Sequence, residues 1–342
     1  MAQETKTLKT NYYEELNIMK GITAVLVVLG HAIMQTGVEN RGFSILYSVL
    51  YSFHMPLFFF ASGFLSTKVL SFFTWKERGK YAGNRFLRLM IPYVSMGILY
   101  LPARRLMGRF ANEPYDFVDV WRMLIGENPD WALWFLYALF VISVIAVCVV
   151  RKRNLPWILG IAFVLALCSK IITWPTIILE EILFHFFFFI AGIFIRTHYE
   201  AWKKFIYTPL TVMLGLDMFI GGNYLLWYAS QMAYTGAGCL KLITAPSGIL
   251  LSLNLANMIV KSYQRESVPR KLGNLFGDYS MDIYMFAEPF KVVIKIVFWS
   301  LLHLNYLLCT VLCFVGSISL ALLVSKLVVR RIPVLKKLFL GM

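Results

Sequence analysis

The sequence predicts an all-helical bundle that crosses a membrane about ten times and carries no attached soluble domain. Three observations lead there. Of the 342 residues 59% are hydrophobic and only 15% charged, with a mean hydropathy of +0.68, whereas a soluble domain is nearer 45–50% apolar and about 25% charged. Apolar runs of about 20 residues, the length that spans hydrocarbon, recur along the whole chain. The cations fall mostly on alternate connections between those runs. The net charge of +15 would suggest nucleic acid in a soluble chain. Here topology accounts for it, so the expected partner is the lipid bilayer and not nucleic acid.

Taken in order, the runs are 17–36, 46–68, 82–103, 132–150, 155–174, 180–196, 206–227, 238–260, 279–301 and 305–328. Residues 1–16 are mostly polar and read as a cytoplasmic N-terminal segment, 17–328 as the transmembrane domain, and 329–342 as a basic cytoplasmic tail. The first run lacks a small-residue cleavage pattern and is therefore a retained span. Of the 33 Lys and Arg, 21 lie on the connections after the even-numbered spans, at the span ends beside them and in the tail, including Lys76, Arg78, Lys80, Arg85, Arg88, the Arg151-Lys152-Arg153 run, Lys203, Lys204, Arg270, Lys271, Arg330, Arg331, Lys336 and Lys337. Seven lie on the opposite connections or the span ends beside them: Arg41, Arg104, Arg105, Arg109, Arg122, Lys170 and Lys241. The positive-inside rule then puts both termini in the cytoplasm of a cell-membrane protein. The long outward connection at about 104–131 holds Pro114, Pro129 and several aromatic residues. It suits an external lid or substrate loop, and equally a solvated connection with interfacial aromatics. Cys148, Cys168, Cys239, Cys309 and Cys313 lie in or beside apolar runs without a CxxC partner, as small core hydrophobes do. No metal-ligand spacing, GxSxG, HExxH or P-loop is present, so no metal is expected.

Buried ionisable groups are costly in hydrocarbon and are functional candidates by default. In NIMKGITAVLVVLGHAIMQTG, Lys20 and His31 are eleven residues apart. That is three helical turns plus about 20°, so both share one face, about 16 Å apart along the axis. His54, in YSFHMPLFFFASG, enters from the other side on the next span and reaches a similar depth. A neutral imidazole can take and return a proton near pH 7, which suits acyl or proton transfer. The plainer reading is a histidine bonding between helices. In NRFLRLMIPY, Arg85 and Arg88 are three apart at the cytoplasmic start of a span. They form either a clamp for phosphate oxygens or ordinary headgroup anchoring. In SMDIYMFAEPFKVVIKIVF, Glu288, Lys291 and Lys295 share one face, with Asp282 elsewhere on the helix. His185, in EEILFHFFFFIAG, reads as packing, behind Glu180 and Glu181 at the external mouth, and His198 and His303 lie at span ends.

These motifs resemble the acyltransferase-3 family of integral membrane acyltransferases, and most closely its branch that O-acetylates bacterial surface glycans. The likeness rests on KGITAVLVVLGH (Lys20 to His31), SFHMPLFFFASGF, RFLRLMIPY and WALWFLYALF, with weaker matches at FFFFIAGIF and YSMDIY. It covers nearly the whole chain. The resemblance implies a ten-helix domain that takes an acyl group from cytoplasmic acyl-CoA and passes it to an extracytoplasmic hydroxyl. The family's basic residue and histidine fall on Lys20 and His31, and its arginine pair on Arg85 and Arg88. Lysine stands where arginine is frequent, Asn17 where an acidic residue is often found, and the histidine common near the end of the span-nine motif is absent.

The expected function is therefore O-acyl transfer, from acetyl-CoA as donor and co-substrate to a cell-surface carbohydrate. Lys20, Arg85 and Arg88 are expected to hold the anionic donor, and His31 with His54 to carry the chemistry. Trp131, Trp134 and Glu288 are candidates for the acceptor end. The alternative is a transporter of a small polar solute or glycan, built on the same scaffold with the histidines as proton relays.

Overall fold

The computed structural model describes residues 2–36, 41–106, 117–128 and 130–342. Its helices are α1 (Ala2–Thr36), α2 (Arg41–Phe64), α3 (Trp75–Leu106), α4 (Trp134–Val149), α5 (Leu155–Ile171), α6 (Ile177–Thr197), α7 (Tyr199–Ile206), α8 (Pro209–Gln231), α9 (Lys241–Ser262), α10 (Val268–Asp278), α11 (Ser280–Lys295), α12 (Tyr306–Val324) and α13 (Pro333–Leu340). No strand occurs among the described residues. The chain is a polytopic helical bundle, and its ten long helices follow the ten predicted runs. Seven elements (α1, α2, α4, α6, α8, α9 and α12, some with short flanking turns) are long and apolar enough to cross a membrane by length and composition. The other three fall short for physical reasons. α3 is charged toward both ends and contains Pro92 and Pro102. α5 has only 17 residues. α11 carries Asp282, Glu288, Lys291 and Lys295, and reaches span length only by continuing as a π-helix over Ile296–Leu301.

Local chemistry sets the helix starts. Thr74 and Glu77 form a capping box ahead of α3: the Glu77 N–H donates to Thr74 Oγ1 at 3.2 Å and the Thr74 N–H to Glu77 Oε2 at 2.9 Å. That N–H, the Thr74 hydroxyl and the Phe73 N–H together hold the Glu77 carboxyl below the usual carboxylate range. Thr176, Thr208 and Asn305 cap α6, α8 and α12 in the same manner, each accepting from a backbone N–H three residues on.

α2 is the hub, packed against α1, α6, α8 and α9. Its closest approach is to α6. A Cβ on Gly63 would lie 1.9 Å from the Phe189 carbonyl oxygen, and one on Gly192 2.2 Å from that of Phe60. Only glycine permits this crossing, as is usual where membrane helices meet backbone to backbone. Around it Leu57, Phe59, Phe64, Phe184, Phe188 and Phe189 are fully enclosed, which is where the aromatic runs of the sequence are spent.

Three short helices were not legible as separate elements. α7, α10 and α13 all lie on the side of the bundle that collects most of the cations. α10 packs along the start of α1, and residues 2–16 are part of α1 instead of preceding it. The tail is no free extension: α13 folds against α3, and Leu340 is completely buried. Of the long outward connection, residues 107–116, with Arg109 and Pro114, and residue 129 lie outside the described set. Its remaining part folds inward: Tyr93 on α3 donates to the Met123 carbonyl at 3.1 Å, and Asn128 Nδ2 returns a bond to the Tyr93 carbonyl at 2.9 Å.

Candidate functional site

Two spaces line up along the inner face of α1. The larger, about 640 Å³, opens on the basic side. Lys20 from α1, Arg85 and Arg88 from α3, and Lys68 and Lys80 supply five cations, against one carboxylate, Glu77. The three residues expected to grip an anion thus meet in one cavity although they come from two helices. Arg85 is fixed by bonds from Nε to Tyr81 Oη at 2.9 Å and from Nη2 to Ser66 Oγ at 2.6 Å. Arg88, by contrast, is exposed to the cavity and has no carboxylate partner among the described residues. Inward, the wall becomes apolar, with Phe58, Phe135 and Tyr284 at its end.

The smaller space, about 10 Å³, contains His31, Glu288 and Lys291, and Tyr284 borders it as well. That is about the volume needed to admit one water. Glu288 Oε2 lies 3.8 Å from His31 Nδ1. Both oxygens of Glu288 also accept from Lys291 Nζ at 2.6 Å, and Lys291 is only 1% exposed. A buried ion pair of this kind offsets its desolvation only through close geometry. A carboxylate facing Nδ1 favours the tautomer with its proton there, leaving Nε2 with the lone pair. Glu288, expected at the acceptor end, thus sits where it can orient the imidazole.

His54 lies at a similar position along the bundle but outside this chamber. It is 2% exposed, and its Nδ1 bonds to the Leu50 carbonyl one turn back at 2.6 Å. The Tyr51 ring stands 4.6 Å from His54 and 6.3 Å from His31, centroid to centroid. The two histidines therefore share an aromatic neighbour and not a cavity. The two tryptophans part company too. Trp131 is 47% exposed, while Trp134 is half-buried with its ring 5.4 Å from that of His185. His185 belongs to a separate ionic cluster, with Glu181 Oε2 3.1 Å from its Nδ1 and Lys170 bonded to Glu180 at 2.6 Å. Among the described residues no group of three or more His, Cys, Asp or Glu is placed to hold a metal.

Sequence reasoning missed two residues. Tyr284 donates a hydrogen bond to the Ala132 carbonyl across the bundle; its position four before Glu288 on one helix face was the available signal. Asp278 was missed because α10 was not foreseen. Asn17 donates to Asp278 Oδ1 at 2.8 Å, and that carboxylate also lies within electrostatic reach of Lys20. Asp278 thus places a carboxylate beside Asn17, the position at which the sequence resemblance led one to look for an acid.

Five cations around a deep cavity, leading to a histidine–carboxylate pair inside a helical bundle, make a site able to hold an anionic ligand beside an acid–base group. The family pattern described as an acyltransferase domain, acyltransferase-3, matches residues 13–325. The chain belongs to that family. It is also similar to nodulation protein NolL of Sinorhizobium fredii (strain NBRC 101917 / NGR234), 29% identical over 131 residues. That match spans 37% of this chain and only about a third, 34%, of the relative's length. No solved structure matches the chain.

Proposed function

We propose that the protein is a membrane O-acyltransferase that moves an acetyl group from acetyl-CoA to a hydroxyl of a cell-surface glycan or its lipid-linked precursor. The observation that carries this reading is the alignment of the cationic cavity with the His31–Glu288 pair behind it. In this reading both termini are cytoplasmic, so the cavity faces the compartment that holds acyl-CoA. Arg88 and Lys20 bind the donor's phosphates, with Arg85 held ready by Ser66 and Tyr81. His31 Nε2 takes the proton of the acceptor hydroxyl, the oxygen adds to the thioester carbonyl, and the CoA thiolate leaves and recovers the proton. If the acyl group first bonds to Nε2, the C–S bond breaks and CoA leaves as thiolate; the acceptor oxygen then takes the acyl group as the Nε2–acyl bond breaks, and its proton goes to the thiolate. Glu288 orients His31 in either route, and Trp134 with Trp131 flanks the acceptor side.

The test compares cells lacking the protein with cells carrying wild-type or His31→Gln protein. Base-labile acetyl on surface polysaccharide is measured alongside uptake and export of small polar solutes. Glutamine keeps much of the volume and hydrogen bonding but cannot shuttle a proton. The wild type should restore acetylation and His31→Gln should lower it by about 10²–10⁴-fold. Near-normal acetylation by well-expressed His31→Gln would overturn the mechanism. A solute flux that follows the protein, with acetyl unchanged, would favour transport.

A further inference from the structure

We infer that Tyr284 is the stop that limits the donor cavity to short acyl groups, an inference that rests on the acyl-CoA reading above. Among the described residues Tyr284 is the one side chain that borders both the 640 Å³ cavity and the 10 Å³ chamber of His31. It is 7% exposed, and its ring lies 5.4 Å from that of Phe135 and 6.3 Å from that of Phe58, centroid to centroid. Its hydroxyl donates to the Ala132 carbonyl in the short turn Trp131–Leu133. That turn is itself anchored, since the Ala132 N–H donates to Asp130 Oδ1 at 3.0 Å and Leu133 is 1% exposed. The ring is therefore held by its hydroxyl and by its aromatic neighbours where the two spaces adjoin.

The consequence is one of size. A chain entering from the basic side with its phosphates at Arg88 meets the Tyr284 ring before it reaches His31. The chamber beyond is too small for any further carbon while the ring is in place. A two-carbon group needs only a small turn of the ring to meet the imidazole. Each additional methylene has nowhere to go except into Phe58, Phe135 or the ring itself. Removing the ring joins the two spaces into one apolar channel ending at His31. There, each methylene taken from water gains affinity by about fourfold.

The experiment uses the purified full-length protein and a fluorescent CoA derivative displaced by CoA, acetyl-CoA, butyryl-CoA and hexanoyl-CoA. This reads binding alone and needs no acceptor. In the wild type, affinity should be flat or falling from acetyl to hexanoyl. In Tyr284→Ala, hexanoyl-CoA should bind at least about tenfold more tightly than acetyl-CoA, each affinity taken relative to that of the same variant for CoA. Displacement of the probe by CoA also certifies that the variant is folded. Tyr284→Leu, which keeps apolar packing against Phe58 and Phe135, should move the profile the same way by a smaller factor. Parallel chain-length profiles in the wild type and in a CoA-binding variant would overturn the stop and leave the donor reading standing. Failure of CoA to displace the probe from the wild type would overturn the donor reading, and the stop with it.

Discussion

Glu288 stands between His31 and Lys291, 3.8 Å from the imidazole Nδ1 and 2.6 Å from the ammonium. One carboxylate thus serves two partners in the bundle interior. The ammonium balances its charge, and the imidazole is oriented by it. Glu288→Gln removes the charge and keeps the shape. If Glu288 positions His31, the rate of acyl transfer should fall by about 10²-fold or more, while acyl-CoA affinity stays within about threefold of wild type, because the donor phosphates bind elsewhere. A purely structural Glu288 would lower the amount of folded protein and leave the turnover of what remains unchanged. The split between rate and affinity in purified protein decides.

His54 offers the contrasting case. Its Nδ1 is committed to the Leu50 carbonyl and Tyr51 stands against its ring. That bond ties the imidazole to its own helix, one turn back. His54→Gln should therefore keep more than about a tenth of wild-type transfer, against a loss of about 10²–10⁴-fold for His31→Gln. Equal losses in two equally expressed variants would restore His54 to the chemistry.

Arg88→Ala tests the donor site. A charge-assisted hydrogen bond contributes about 1.5–3 kcal/mol, so the variant should bind acyl-CoA roughly 10- to 150-fold more weakly. Arg88 faces the cavity without a carboxylate partner among the described residues, so its removal should leave protein level and thermal stability near wild type. Arg85→Ala should lose affinity and some stability together, since Arg85 ties α3 to Ser66. Calorimetric titration of detergent-purified protein separates the two patterns. Unchanged affinity in Arg88→Ala would return the pair to headgroup anchoring.

The long helices were legible because hydrocarbon demands length and apolarity, and both can be read off a single chain. The shared face of Lys20 and His31 was legible for a similar reason: helical periodicity is local. Which helix lies opposite is not local. The meeting of His31 with Glu288 joins residues 257 positions apart, and no spacing rule relates them. Tyr284 was passed over because a tyrosine in an apolar run is ordinary; its place four before Glu288 is a weak signal, and the Ala132 bond and the two adjoining spaces are what single it out. For His54, depth could be read from the sequence but its surroundings could not: equal depth on neighbouring helices does not fix a common cavity, and its ring bonds back to Leu50 and packs on Tyr51 of its own helix. α10 and α13 escaped notice because short amphipathic helices at a membrane surface have the composition of loops.

Asp282 makes a separate, structural prediction. It is completely buried and accepts from Arg330 through both oxygens, at 2.8 and 2.7 Å, as well as from Ser325. This pair fastens α11 to the segment that leads into α13. Removing one partner of a buried pair costs about 3–5 kcal/mol, because the other charge is left uncompensated. Asp282→Ala should therefore sharply reduce the level of folded protein, whereas Asp282→Asn with Arg330→Met should recover much of it. Thermal unfolding followed by fluorescence-detected size exclusion measures both. A well-folded Asp282→Ala protein would show that the pair is dispensable.

Orientation carries the argument that the cationic cavity meets acyl-CoA at all. Of the 33 Lys and Arg, 21 lie on the side of α7, α10 and α13 and seven on the other, and by the positive-inside rule we propose that the basic side is cytoplasmic. The reporter is a chain whose five cysteines are replaced, into which single cysteines are returned. Asn112→Cys, in the long outward connection and outside the described residues, should react with a membrane-impermeant maleimide in intact cells. Lys204→Cys, on α7, should react only after lysis. The opposite pattern would put the five cations of the cavity outside the cell. Acyl-CoA would then be unavailable to them, and the proposed direction of transfer would fall whatever the behaviour of His31.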